Sequence, residues 1–154
     1  MVGSRGNSVK ALVVLAIALA GCFWRSYGRL AATHAELLVS MARKGVDLVA
    51  AERLTAESMP ELTYPLERAQ AFVATARART SGDPPRSLVA LAALVDRYRT
   101  FVDALDRGRR TWHGDEARAA LRAPLADVEQ AGAAVADALR AEGRASFVIP
   151  EAAG

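Results

Sequence analysis

Few residues in this 154-residue chain could carry covalent or acid–base chemistry: one cysteine, Cys22, and two histidines, His34 and His113. A single cysteine forms no internal disulfide, and it cannot complete a multi-cysteine zinc site or a haem attachment motif. Di-iron sites in helical bundles need Glu-x-x-His on two helices, whereas Ala31 and Arg110 stand three residues before the two histidines. The sequence therefore predicts no metal site and no cofactor.

Motifs of the common catalytic classes are also missing from the sequence. It contains no Gly-x-Ser-x-Gly elbow and no glycine-rich phosphate-binding loop. We therefore expect that the protein is not an enzyme and that His34 is a core or boundary histidine. Counting residues does not exclude a Ser-His-Asp triad, so an enzyme with an unrecognised site is kept as an alternative.

The N-terminal segment has the layout of a secretory signal peptide. Arg5 and Lys10 are followed by ten uncharged apolar residues, 11–20. Even when this run is extended to Trp24 it has 14 residues. A helix of that length spans only about 21 Å. The hydrocarbon core of a bilayer is about 30 Å thick. The segment is thus too short for a membrane-spanning anchor, and we expect residues 1–21 to be a cleaved signal peptide.

This segment ends in Leu19-Ala20-Gly21-Cys22, which resembles the lipobox of bacterial lipoproteins. The resemblance covers residues 1–22 only. It implies that the Cys22 thiol forms a thioether to diacylglycerol, that the chain is cut before Cys22, and that the new amino group is acylated. Two or three acyl chains such as palmitate anchor a protein stably, whereas one does not. The alternative is a buried free cysteine that packs as a small hydrophobe.

The residues after the cysteine bear on the location of the protein. Lipoproteins kept at the inner membrane of many Gram-negative bacteria tend to have Asp where this chain has Phe23. The resemblance therefore implies a lipid-anchored protein of the cell envelope, on the periplasmic face of the outer membrane if the organism is Gram-negative. Residues 22–29 are expected to form a lipidated tether. Their aromatic residues and arginines suit a headgroup region, or else Trp24 and Tyr27 start the first core helix.

The net charge of +3, from 20 basic and 17 acidic residues, gives no indication of a nucleic-acid partner. Once residues 1–21 are removed, the remaining 133 residues carry 18 basic and 17 acidic side chains, a net charge of +1. Nucleic-acid binding needs a concentrated positive field. We therefore expect no nucleic-acid partner.

Composition predicts an all-α fold. Alanine and leucine account for 34 and 17 of the 154 residues, whereas isoleucine occurs twice. Alanine and leucine lose least on entering a helix, and the chain is short enough for a single domain. The fold class expected is a small antiparallel bundle of three to four helices after the signal peptide.

Apolar spacing and proline positions predict the individual helices. The first runs from about Arg25 to Glu57, the second begins near Pro65, and the fourth begins around Asp115, where Pro124 either kinks it or marks its first turn. The apolar face of the first helix comprises Leu30, Leu37, Leu38, Met41, Leu48 and Val49, with Ala31, Ala42 and Gly45 among them. The stripe of the third comprises Leu88, Leu91, Leu94, Val95, Tyr98, Phe101, Val102 and Leu105.

Short turns between these helices favour an up-down-up-down bundle over residues 30–144. Alanine-rich faces predict thin, closely packed seams. A three-helix bundle, or a long hairpin that needs a partner to cover its stripe, is the alternative. Residues 145–154 are expected to form an extended C-terminal tail.

A basic and aromatic cluster follows the third helix: Arg109, Arg110, Trp112 and His113. Tryptophan and arginine dominate binding hot spots, so these residues are candidates for contact with a protein partner. The alternative is that Trp112 caps the bundle core beside a solvated helix end.

Three apolar residues in the tail, Phe147, Val148 and Ile149, form a second candidate surface. They could add a strand or plug to a partner, or dock on their own bundle. Together these features predict a lipid-anchored, non-catalytic interaction or assembly module of an envelope complex, held on the bilayer through acylated Cys22. The alternative is a carrier that binds an apolar ligand, such as lipid or quinone, within or at the end of the bundle.

Overall fold

The computed structural model describes the backbone of residues 5–144 and the side chains of residues 23–144. Four helices make up this part of the chain, and it contains no strand. They are α1 (Arg5–Ala50), α2 (Met59–Ala78), α3 (Arg86–Gly108) and α4 (Gly114–Ala141). The predicted all-α bundle is thus confirmed. The predicted tail, with Phe147, Val148 and Ile149, lies outside the described residues.

Consecutive helices in the bundle are antiparallel. Arg43 of α1 bonds to Glu129 of α4, and Lys44 of α1 bonds to Glu61 near the start of α2. Helices α1 and α3 each pack against all three other helices. Helix α2 contacts α1 and α3 and makes no contact with α4 within the described chain. The order is therefore up-down-up-down, with α2 the least enclosed helix.

Helix α1 begins earlier than the sequence predicted, at Arg5 rather than near Arg25. The intervening segment is rich in alanine and leucine and contains no proline, so nothing in it stops a helix. Residues 23–29, expected to be a tether, are part of α1, and Tyr27 is fully buried. The core of the bundle therefore extends to within a few residues of Cys22. No described helix has a stretch long and apolar enough to cross a membrane.

The same helix ends at Ala50, seven residues before the predicted end at Glu57. The backbone N–H of Arg53 donates to the Leu48 carbonyl at 2.8 Å, the 6→1 bond of a Schellman motif. Glu52 takes the left-handed position of that motif, with φ of 58°. The usual residue there is glycine, so the sequence pattern gave no stop signal.

The two helices that contain proline begin before it. Helix α2 begins at Met59, because Pro60 sits in its first turn, where a missing N–H costs nothing, and buried Pro65 lies within the helix. Helix α4 begins at Gly114, with two acidic residues in its first turn, where the helix dipole favours them. Pro124 lies inside α4, so of the two alternatives the first turn is excluded.

The core confirms one predicted stripe and corrects another. All eight apolar residues of the α3 stripe are buried. On α1, Leu38 and Val49 are buried, but Leu30 and Leu37 are 41% and 40% exposed. The predicted Ala31, Ala42 and Gly45 are buried as well. The other buried residues of α1, which the prediction did not include, are Tyr27, Gly28, Ala32, Ala35, Val39 and Val46. Small side chains let helices approach closely, so the larger leucines lie at the flank of the face.

Candidate functional site

Four of the predicted partner-binding residues, Arg109, Arg110, Trp112 and His113, lie in the connection between α3 and α4, at one end of the bundle. The backbone N–H of Trp112 donates to the Gly108 carbonyl at 2.8 Å, which folds the chain back over the end of α3. The Trp112 ring lies so close to Gly108 that a Cβ there would be 1.9 Å from ring atom Cε3. Trp112 is half-buried and packs against the core. It therefore caps the end of the bundle while one part of its ring stays exposed.

The two arginines of this cluster differ in their contacts. Arg109 Nε donates to Asp106 Oδ1 at 2.7 Å, and this hydrogen bond holds the pKa of the Asp106 carboxyl below its usual value. The Arg109 side chain is only 14% exposed. Arg110 is exposed and forms no salt bridge within residues 23–144. Of the two, Arg110 is therefore the one whose charge faces a partner without an internal counterion in the described residues.

His113 joins two connections of the bundle. Its Nδ1 lies 3.5 Å from Oε1 of Glu52, the residue that ends α1 in the left-handed conformation. Both side chains are more than half exposed. A solvated pair of this kind contributes little to stability. The arrangement presents an exposed imidazole beside Arg110 and Trp112, which suits recognition of a partner's polar groups.

The opposite end of the bundle contains the part of α1 that follows Cys22. It holds an aromatic cluster that the sequence only partly predicted. Tyr27 stacks on Phe72 of α2, with ring centroids 5.7 Å apart and an interplanar angle of 17°. Phe23 contacts Trp24 edge-on at 5.4 Å and lies 6.2 Å from Phe72. Two arginines cover these rings: Arg79 lies 4.6 Å from the centroid of Phe23, and Arg144 lies 5.2 Å from that of Trp24. Tyr27 is thus a core residue, whereas Phe23 and Trp24 are half-buried.

A buried polar network fastens three helices together at this same end. The hydroxyls of Tyr27 and Ser87 lie 3.1 Å apart. Ser87 donates its backbone N–H and its hydroxyl to the two carboxylate oxygens of Glu142, at 2.9 and 2.7 Å. Burial raises the pKa of the Tyr27 phenol. The Glu142 carboxylate thereby satisfies a free N–H in the first turn of α3, where negative charge is favoured.

Only a weak pattern in the sequence points to this network of Tyr27, Ser87 and Glu142. Ser87 follows two consecutive prolines, which place it in the first turn of a helix, and Glu142 comes directly before the glycine that ends the last helical pattern. Their pairing depends on α3 and α4 being antiparallel, and no local motif encodes that.

His34 has the environment of a boundary histidine, as expected. It is half-buried, and its ring lies 4.9 Å from that of Phe72. Burial, together with the nearby positive charge of Arg68, lowers the pKa of His34. Within residues 23–144, no group of three His, Cys, Asp or Glu side chains is arranged to hold a metal ion.

A groove between α2 and α3, of about 340 Å³, bears on the carrier alternative. Its floor contains Val73 and Val95, and its rim carries Arg77, Asp96 and Arg99. A carrier of an apolar ligand is expected to enclose it among hydrophobic side chains. This groove has guanidinium and carboxylate groups at its rim instead, so it does not favour that alternative.

The chain was compared with known protein families, with curated proteins and with solved structures, and none of the three comparisons finds a match.

Proposed function

We propose that this protein is a bacterial lipoprotein whose helical bundle is a non-catalytic interaction or assembly module of an envelope complex. One observation supports it above the others: the residue next to Cys22, Phe23, is already packed into the bundle, where it contacts Trp24 and Phe72. A lipidated Cys22 would therefore hold a rigid bundle at the membrane surface. The absence of an acidic residue after Cys22 favours the outer membrane, with the bundle in the periplasm.

The module would contact a protein partner through the end of the bundle that is farther from Cys22. From Phe23 to Ala50, α1 rises by about 40 Å, at roughly 1.5 Å per residue. Arg110, His113 and the exposed part of Trp112 thus stand about 40 Å from the anchored end. This distance suits a protein that holds a contact surface away from the bilayer, toward a partner in the envelope.

Labelling with a radioactive fatty acid tests the anchor. Cells that express the full chain should incorporate the label into this protein, and Cys22→Ala should abolish incorporation and leave the uncut precursor. Ser40→Ala, an exposed serine on α1 outside the lipobox, is the matched control and should be labelled normally. Equal labelling of Cys22→Ala and the control chain would overturn the anchor.

Site-specific photo-crosslinking tests the contact surface. A photoreactive amino acid at Arg110 or His113 should give a crosslinked product of defined mass in intact cells. The same amino acid at exposed mid-bundle positions, Ala93 and Ala133, is the control and should give none. If all four positions crosslink equally, or only the mid-bundle positions do, the far end is not the contact surface.

A further inference from the structure

We propose that the anchor end of the bundle binds the headgroups of anionic phospholipids, so that the bundle stands upright on the bilayer rather than swinging on its acyl chains. The anchor end is defined as residues 23–30, 77–87 and 137–144. The far end is defined as residues 44–61 and 103–118. This inference rests on the proposed lipid anchor at Cys22 and adds the class of lipid that the protein recognises.

Charge is distributed unevenly along the bundle, although its net charge is small. The anchor end carries seven arginines and three acidic residues, an excess of four positive charges. The far end carries six basic and eight acidic residues, an excess of two negative charges. The described residues between the two ends carry five of each sign. The bundle is therefore an electric dipole whose positive end is the one nearest to Cys22.

Several arginines at the anchor end are free to bind an external anion. Arg25, Arg29 and Arg86 are exposed and form no salt bridge with any residue of 23–144. Arg25 and Arg29 lie one turn apart on α1, and Arg86 is the first residue of α3, so two helices contribute to this surface. Exposed guanidinium groups bind phosphate through charge-assisted, often bidentate, hydrogen bonds.

The chain between Cys22 and the core is too short to separate this surface from the bilayer. Phe23 packs under Arg79, and Trp24 packs under Arg144, both within two residues of the cysteine. Gly28 packs closely against the chain just after α4, because a Cβ on Gly28 would lie 2.5 Å from the Arg144 carbonyl oxygen. Acyl chains on Cys22 would thus place the anchor end among the headgroups, where anionic phospholipid supplies the complementary charge.

Arginine footprinting of the acylated full chain in vesicles tests this proposal. The purified protein is reconstituted in phosphatidylcholine vesicles, with or without phosphatidylglycerol, and treated with an arginine-selective dicarbonyl reagent. Mass spectrometry then gives the modification rate of each arginine. With phosphatidylglycerol, Arg25, Arg29 and Arg86 should react roughly fivefold more slowly, the factor that about 1 kcal/mol per basic residue corresponds to.

The far end provides an internal control on the same molecule. Arg53, Arg107 and Arg110 are exposed, form no salt bridge within residues 23–144, and should react at the same rate in both vesicles. The protection at the anchor end should disappear in 1 M salt, because the screening length falls to about 3 Å. Equal rates at both ends in both vesicles would overturn the proposal, as would protection of the far end alone.

Two triple variants with the same change in charge provide the second measurement. In the first, Arg25→Gln, Arg29→Gln and Arg86→Gln are combined; in the second, Arg53→Gln, Arg107→Gln and Arg110→Gln. Energy transfer from Trp112 to a headgroup-labelled lipid, with Trp24→Phe in all chains, reports the height of the far end. The first variant should raise transfer in phosphatidylglycerol vesicles as the bundle tilts, whereas the second should not. Equal transfer in both would overturn the upright orientation.

The mass of the N-terminal peptide separates this proposal from the one on which it rests. A purified chain whose Cys22 peptide carries no acyl group overturns the lipoprotein function itself. An acylated chain whose anchor-end arginines are not protected overturns headgroup binding alone and leaves the anchor intact.

Discussion

Ser87 is the buried polar residue that links the helices at the anchor end of the bundle. Its hydroxyl lies between the Tyr27 phenol and the Glu142 carboxylate, and all three groups find partners. The structure leaves no buried side-chain nitrogen or oxygen unpaired in the described residues. Because an unpaired buried group costs far more than a hydrogen bond gains, the three residues act as a unit.

Replacing Ser87 by alanine should lower the free energy of unfolding by about 1–3 kcal/mol, because the Tyr27 hydroxyl then stays buried without its partner. Chemical denaturation of the full chain in mild detergent measures this. Ser40→Ala, at an exposed position on α1, is the control and should change stability by less than about 0.5 kcal/mol. Equal stability of the two variants would show that water replaces the serine at no cost.

His34 should give the bundle a pH-dependent stability. Its pKa in the folded protein is lowered by burial and by Arg68, so the unfolded chain binds the proton more readily. Stability is therefore fully present above the unfolded pKa of about 6.5 and is lost as the pH falls toward the folded value. His34→Gln should flatten the dependence between pH 7 and 5, measured by denaturation at each pH, whereas His113→Gln should retain it. An identical slope in both variants would contradict the assignment.

At the scale of the helices, the ends of α1 and α3 are closed by different devices. Trp112 folds back on Gly108 to close α3, whereas α1 is closed by Glu52 in a left-handed conformation. A residue with a Cβ pays about 1–2 kcal/mol in that conformation. Among the described residues, the Glu52 side chain makes an exposed contact with His113, which contributes little to stability. This contact therefore does not offset the conformational cost of the left-handed backbone at Glu52.

Glu52→Gly should stabilise the protein by about 0.5–1 kcal/mol, because glycine adopts the left-handed position without strain, although it loses some entropy. Glu57→Gly, in the same connection but without a positive φ, is the matched control and should give no gain. Denaturant midpoints of the two variants provide the comparison. A destabilised Glu52→Gly protein would show that the contact with His113 matters more than the strain.

At the scale of the whole molecule, the four helices are not equally enclosed. Helices α1, α3 and α4 pack tightly against one another, whereas α2 rests on α1 and α3 without touching α4 in the described part of the chain. Helix α2 also contributes Phe72 to the aromatic cluster, and Arg79, directly after α2, lies over the Phe23 ring. A loose α2 would thus change the shape of the anchor end without unfolding the other three helices.

Hydrogen exchange should therefore protect α2 (Met59–Ala78) least and the central part of α3 most. Amides exchange through local opening, and an element with fewer packed neighbours opens at a lower free energy. Exchange measured by mass spectrometry on the full chain resolves the two helices. Equal protection in both would mean that the bundle opens only as a single cooperative unit.

The sequence by itself determined the helical character of the chain, the α3 stripe and the lipobox resemblance, because each depends on local composition or on residues close in sequence. Helix α3 was readable since large apolar residues recur on one face and all of them are buried. The α1 face was only partly readable, because much of it consists of alanine and glycine, whose small side chains give a weak apolar signal. The prediction wrongly included Leu30 and Leu37, which are exposed.

Only the tertiary structure decided which residues of distant segments meet. It places Arg110, Trp112 and His113 at the far end and assembles the Ser87 network from α1, α3 and α4. It also places Arg79 over Phe23 and Arg144 over Trp24, at an end of the bundle whose positive charge the net charge of +3 conceals. The physical reason is that charge and hydrogen-bond partners act through space, and antiparallel packing brings together residues that are far apart in the chain.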